Sequence, residues 1–366
     1  MPAISTLDNA KLRAQIDPNA MWSLINDFPD HIETAARNVE HLFLPPTIGM
    51  PTPTSLVITG LGGSAISGDL VRAAMGNAVK IPLIVNRDYD LPSFVNPSTL
   101  VVACSYSGNT EETLSVYVQA RAVGADVVCI TSGGLLAESA KTDCRPVVSL
   151  PGGLPPRAAL GYALATLLGV LRAKGIIPDV SGDIKESVAL LKALREKYRP
   201  ETTVVDNPAK MLAVELMDKI VVIYGSSAIM EAAAYRWRSQ IAENAKNLSF
   251  HHALPEMNHN ELVGWLHPES GLNKTSVVFL RDSEDHPQVG KRFDLTRKVI
   301  DGKARVVREI QSEGKSRLAR ILSMVYLGDF TSLYMAYLNQ VDPTPVTVIE
   351  SFKKALGRPT ADGGER

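Results

Sequence analysis

Thr59 to Asp69 reads TGLGGSAISGD, and Cys104 to Glu112 reads CSYSGNTEE. Each stretch follows a short apolar run and opens a helical pattern. Glycines let a backbone approach a ligand closely, and serine or threonine hydroxyls add donors. The start of a helix offers unpaired backbone N–H groups and the positive end of its dipole. On this reading Gly62, Gly63 and Ser64 from the first loop join Ser105, Ser107 and Thr110 from the second in a cradle for a phosphate. Either loop alone reads about equally well as a tight turn with a helix cap. Two of them at corresponding strand ends tip the reading toward binding.

Outward from these loops the pattern is strand, loop, helix, repeated. Strands are predicted over 55–59, 81–85, 100–105, 126–131 and 146–150, with helices from Asp69 to Met75 and from about Glu111 to Val123. Short, continuously apolar strands between helices indicate a parallel sheet covered on both faces. Right-handed crossovers then put both glycine loops at the carboxyl edge of that sheet, where ligands of α/β proteins bind. After Pro151, GGLPPRAALGYALATLLGVLRAKG reads as a turn feeding an apolar helix buried between domains, and Asp183–Lys197 as a charged helix ending at a linker near Pro200 and Glu201.

The second half repeats this grammar more loosely. A strand over 219–224 ends in Gly225-Ser226-Ser227, a helix runs to about Ala245, strands follow at 276–280 and 304–307, and 316–338 is a long apolar helix. The expected fold class is α/β: two subdomains, each a parallel sheet flanked by helices, with the second glycine loop reduced. Apolar stripes at helical spacing before Pro45 make a helical lead-in, and 45–54 reads as a connector. The expected divisions are 1–50, 51–200 and 201–357, with a polar tail over 358–366.

A chain of 366 residues accommodates two such domains. Its formal net charge of −1 supplies no long-range field for nucleic acid or an anionic membrane, so local groups must hold any anion. Cys104, Cys129 and Cys144 are an odd number without CxxC spacing, which argues against disulfides and structural zinc and fits a reducing compartment. The N-terminus has no apolar signal region, and no run of eighteen apolar residues stands free of charges or turns. A cytoplasmic protein with neither membrane nor nucleic-acid partners is expected. A dinucleotide competes for the first loop, with Asp88 and Asp90 downstream, but Gly60-Leu61-Gly62-Gly63 misses the GxGxxG spacing. No Gly-Lys-Ser/Thr follows, which excludes a P-loop.

GLGGSAISGDL, CSYSGNTEETL, PPRAALGY, IAENAK, EMNHNELVGW and DPTPVTVIESFKK, in this order, resemble the motifs of the sugar isomerase (SIS) superfamily. Within it they are most similar to the bifunctional phosphoglucose/phosphomannose isomerases of archaea and some bacteria. SYSGNT marks only the superfamily; ENAK, HNE and the terminal lysine are more specific. The resemblance spans about residues 55–357. It implies two SIS subdomains, usually in a homodimer, and a metal-independent, cofactor-free aldose–ketose isomerase. Its substrates would be glucose 6-phosphate and fructose 6-phosphate, with mannose 6-phosphate in addition.

The resemblance also assigns roles. Glu243 would move the proton between C1 and C2, His259 would open the sugar ring, reaching a neighbouring subunit's site, and Lys353 would assist it. Arg157 would stabilise the enediolate. Without the resemblance Glu215, Glu231 and Glu261 stand level with Glu243, and Lys354 with Lys353. The cluster His251, His252, Glu256, His259 and Glu261 lacks a metal-ligand spacing such as HExxH, so no metal is expected. Val346 falls where the family carries a threonine linked to mannose activity, with Thr344 and Thr347 close by. Two rivals share the cradle: a non-catalytic sugar-phosphate sensor, and an amino-sugar phosphate isomerase or deaminase.

Overall fold

The computed structural model describes residues 2–44 and 51–357, so the expected tail and part of the expected connector lie outside the described residues. Among the described residues nine strands form two sheets. β1 (Ser55–Thr59), β2 (Leu83–Asn86), β3 (Thr99–Ser105), β4 (Asp126–Thr131) and β5 (Val147–Ser149) lie in the order β2-β1-β3-β4-β5. β6 (Ile220–Ser226), β7 (Ser249–Leu254), β8 (Thr275–Arg281) and β9 (Val306–Gln311) lie in the order β7-β6-β8-β9. Every pairing is parallel.

The reversal of strand order around β1 and around β6 has a chemical consequence. It opens a crevice at the carboxyl end of the central strand, between helices that leave toward opposite sides. Alternation along the strands sorts their side chains. Leu56, Ile58, Leu100 and Val102 face inward to the core shared by both halves, whereas Val57, Val101 and Ala103 face a smaller outer cluster. In the second sheet Val221, Ile223 and Val278 join the shared core, and Tyr224, Val277 and Phe279 form an outer cluster of its own.

The shared core is a layer of helices. Arg317–Leu338 is buried along nearly its whole length. A helix apolar on all sides must be surrounded. By length and composition this is the one helix among the described residues that could cross a membrane, and here it is wholly packed inside the protein. Trp237, fully buried on the helix Glu231–Ala245, donates from Nε1 to the Met324 carbonyl at 2.7 Å. Truncating such a side chain to alanine typically costs about 3–5 kcal/mol. The N-terminal helices belong to the same layer: Phe28 stacks on Tyr326 at 5.9 Å, and Tyr326 Oη donates to the Asn26 carbonyl.

The sequence reading of the elements holds with shifts at their ends, and it missed one strand. β7, read as SFHHAL, alternates poorly and carries two histidines, so nothing in its pattern marks it as a strand. It forms because β6 offers a free edge for pairing. The helices Pro208–Leu216, Pro287–Ile300 and Thr347–Leu356 were likewise not delimited in advance.

Candidate active site

The two glycine loops do converge. The first opens the helix Gly62–Met75, which has no acidic residue in its first turn and no side chain capping its amino end. Its backbone donors and dipole therefore point at the crevice unneutralised. The second loop, between β3 and the helix Glu111–Ala122, is fastened to the first because Tyr106 N donates to Ser64 Oγ at 3.3 Å. Gly108 adopts φ +70°, and a Cβ there would lie 1.8 Å from the Gly133 carbonyl oxygen, so only glycine fits.

The hydroxyls divide between two tasks. Ser105 is buried; its Oγ lies 2.9 Å from Thr110 Oγ1 and accepts from Gly108 N at 3.1 Å. It shapes the loop. Ser107 is exposed at the loop tip, with Thr110 and Ser64 half-buried, so these three can turn toward a ligand.

Pro155 and Pro156 bring a third segment against the cradle. A Cβ on Gly63 would lie 2.9 Å from the Pro156 carbonyl oxygen, so a side chain there would push the turn away. The next residue is Arg157, only 5% exposed. Its Nε donates to Asn244 Oδ1 at 2.8 Å, and its Nη2 to the carbonyls of Pro343 (2.6 Å) and Thr344 (2.8 Å). Nη1 lies 3.6 Å from Glu243 Oε2. Burial pushes the guanidinium pKa down and the Glu243 charge opposes this; arginine nonetheless stays cationic.

Glu243 sits near the carboxyl end of Glu231–Ala245 with its side chain 30% exposed. It opens onto a cavity of about 730 Å³, also lined by Lys246, His251, Val346, Thr347 and Ile349. Of the other carboxylates that stand level with it in sequence, two are paired elsewhere. Glu215 accepts from Arg308 at 2.6 Å. Glu261 accepts from Tyr224 Oη and lies 2.8 Å from His252 Nδ1. Glu231 begins the helix near whose other end Glu243 stands.

His259 does not meet Glu243 within this chain. It is exposed on the short turn Glu256–His259, whose Met257 packs with Tyr224, Phe279 and Phe293 in the outer cluster. The helix bearing Glu243 packs through Trp237, Ile241 and Ala245 on the inner core instead. Lys353 and Lys354 are exposed in the last turn of Thr347–Leu356, beyond the part of that helix lining the cavity. Thr344 gives its carbonyl to Arg157, while Val346 and Thr347 line the cavity. Among the described residues no three of His, Cys, Asp or Glu converge as a metal site.

Sequence reasoning overlooked Asn244 as a partner of Arg157. The signal was an asparagine on the buried side of a helix, which must find hydrogen bonds or destabilise the fold.

Two family models match the chain: the SIS domain over residues 52–145, and the bacterial phospho-glucose isomerase C-terminal SIS domain over residues 205–356. A bifunctional phosphoglucose/phosphomannose isomerase of Caldicellulosiruptor bescii is 48% identical over 336 residues, covering 92% of this chain and 98% of the relative. The chain belongs to the bifunctional phosphoglucose/phosphomannose isomerase family. A member from Aquifex aeolicus is 37% identical over 303 residues, covering 82% and 90% of the two chains. The fold is similar to that of a solved glucose-6-phosphate isomerase like protein from Thermus thermophilus, with TM-score 0.60 and 18% identity over 95% of this chain and 98% of that one. Family membership accounts for two sheets of unequal loop chemistry in one chain.

Proposed function

We propose that this protein interconverts glucose 6-phosphate with fructose 6-phosphate, and mannose 6-phosphate with fructose 6-phosphate, without a metal or other cofactor, in the cytoplasm. The observation that carries this reading is the contact of Arg157 with Glu243 beside Gly63. It links a phosphate cradle to one carboxylate and one fixed cation.

The phosphate of the open-chain sugar sits at the start of Gly62–Met75, held by backbone N–H groups and the hydroxyls of Ser64, Ser107 and Thr110. Glu243 takes the proton from C2 of the aldose. The C2–H electron pair forms the C1=C2 bond, and charge moves onto O1, giving a cis-enediolate. Arg157 Nη1 is the cation facing that charge. A proton passes from O2 to O1, and Glu243 returns its own proton to C1 as C2=O forms, leaving the ketose. Reprotonation on the other face of C2 connects mannose 6-phosphate.

Ring opening needs His259 and Lys353, which lie outside the cleft of a single chain. We assign the delivery of His259 to a homodimer in which the partner's turn, at residues 256–259, enters the cavity beside Glu243. Support comes from the amphipathic helix Thr347–Leu356, which exposes Val348 (82%), Phe352 (64%) and Leu356 (58%), with Val348 lining the same cavity as exposed Leu248 and Phe250. An exposed helix of ten residues is marginal without a packing partner.

Turnover of glucose 6-phosphate and mannose 6-phosphate, measured side by side in EDTA, tests the function. Product from both is expected. No turnover of either overturns it, and loss of activity in EDTA overturns the metal-independent route. A monomer with full activity in sedimentation and assay at one concentration would remove the homodimer.

A further inference from the structure

A guanidinium has five N–H donors in one plane. In Arg157 three are committed: Nε to Asn244 Oδ1, and the pair on Nη2 to the carbonyls of Pro343 and Thr344. The pair on Nη1 is left on the side of Glu243, whose Oε2 is 3.6 Å away. The two carbonyls belong to one loop and share one nitrogen, so they fix one corner of the plane. The acceptor on Nε fixes a second, and with it the direction in which Nη1 points.

Asn244 is held as firmly as what it holds. It is fully buried, and its Nδ2 donates to Ser332 Oγ at 2.9 Å. Ser332 in turn donates to the Asp329 carbonyl at 2.7 Å. The Asp329 carboxylate pairs with Arg236 at 3.0 and 2.7 Å, and Arg236 Nη2 donates to the Arg157 carbonyl at 3.0 Å. Asn244 thus fixes the side chain of Arg157 while Arg236 fixes its backbone, and both lead back to one turn of the helix Arg317–Leu338.

We propose that Asn244 is a positioning residue for the isomerisation, acting only through Arg157 by aiming Nη1 at the oxygen where enediolate charge develops. Its oxygen lies against Nε, on the far side of the guanidinium from the Glu243 cleft. This rests on the function proposed above and extends it to a residue that meets no substrate. Preorganised donors are effective because their orientation is fixed before reaction, and a small misplacement costs rate more than binding.

A double-mutant cycle tests it, with kcat and KM for glucose 6-phosphate read from wild type, Asn244→Ala, Arg157→Ala and the double variant, and Tm measured on each. Asn244→Ala is expected to lower kcat on the order of 10- to 100-fold with KM changed less than about twofold. In the Arg157→Ala background the same change is expected to lower kcat less than about twofold, although it still lowers Tm. Losses in kcat that multiply in the double variant, or a folded Asn244→Ala enzyme within about twofold of wild type, overturn the proposal. If Asn244→Ala does not fold, Asn244→Asp carries the test, because its carboxylate keeps an acceptor for Nε. It is expected to retain at least about a tenth of kcat, and a larger loss in a folded enzyme overturns the proposal. Wild type without turnover overturns this proposal and the function together, whereas multiplying losses with wild-type turnover intact overturn only the role of Asn244.

Discussion

The carboxyl edges of the two sheets are built on one plan and chemically opposed. At the first, β1 leads into a helix whose first turn is Gly62, Gly63, Ser64 and carries no acid. At the second, β6 leads into a helix whose first residue is Glu231, so the helix dipole meets a carboxylate of the chain itself. The end of β8 adds Asp282, buried and paired with Arg320 at 3.0 Å, while Ser312 Oγ donates to the same carboxylate at 2.7 Å. The first edge leaves its helix start uncapped by any side chain, and the second spends its helix dipole and Asp282 within the chain. An edge of this topology keeps its helix dipole available to an anion only where the sequence places no carboxylate against it. The second half reaches Arg157 and the cavity from the far end of its helix, through Glu243.

That contrast can be broken at its strongest point by treating the two ends of Glu231–Ala245 alike. Glu243→Gln should lower kcat for glucose 6-phosphate about 10²- to 10⁴-fold, the range of a lost general base, with KM little changed. Glu231→Gln should leave kcat within about threefold. Equal losses at both ends in steady-state kinetics would mean that the second edge shares the chemistry.

The next effect is on stability. Arg320→Met removes one partner of a buried pair whose side chains are 4% and 0% exposed, leaving Asp282 uncompensated. Breaking such a pair typically costs about 3–5 kcal/mol, which urea unfolding should register, with the KM of the folded fraction unchanged. A rise in KM would show that the second edge also holds substrate. Smaller still is the loss of one hydroxyl at each edge. Ser107→Ala should raise KM about tenfold at nearly constant kcat, as for a lost hydrogen bond to a charged group. Ser227→Ala, at the corresponding place after β6, should leave KM unchanged.

How much of this was legible follows from where each signal resides. The first edge was readable because its chemistry is local: Gly62, Gly63, Ser64 and the Ser105–Thr110 loop lie within a few residues of the strands that aim them. β1 and β4 came out at their observed ends for the same reason, as buried strands bounded by turn residues. β7 was not readable, since its pairing depends on a partner in another segment. Arg157 and Glu243 were candidates only through family resemblance. Their contact joins the two halves of the chain, and no periodicity encodes it. The packing of the turn that carries His259 on the outer cluster, and of the Glu243 helix on the inner core, was equally hidden, because a strand pattern shows which residues alternate and not which face receives the next turn. Asn244 had a physical signal of its own, a polar side chain on a buried face, but its partner could be named only in three dimensions.

The subtlest difference between the edges is their response to pH, and Glu231 reports it. Burial pushes its carboxyl above the ordinary value of 4.5, with the Arg72 charge opposing and Asp69 reinforcing. A group whose pKa is raised on folding favours the native state fully below the unfolded pKa and loses that contribution as pH rises through the folded one. Ionised Glu231 is thus a burden on the fold at neutral pH, unlike the uncharged groups at the first edge. Glu231→Gln removes that burden. Its Tm should exceed that of wild type by about 1 °C at pH 8, on the order of 1 kcal/mol or less. The difference should shrink as pH falls and vanish below about 4.5, where both folded and unfolded wild type carry a protonated Glu231. A Tm difference that stays constant as pH falls through this range would mean that the glutamine acts through packing, and the second edge would then differ from the first in shape rather than in charge.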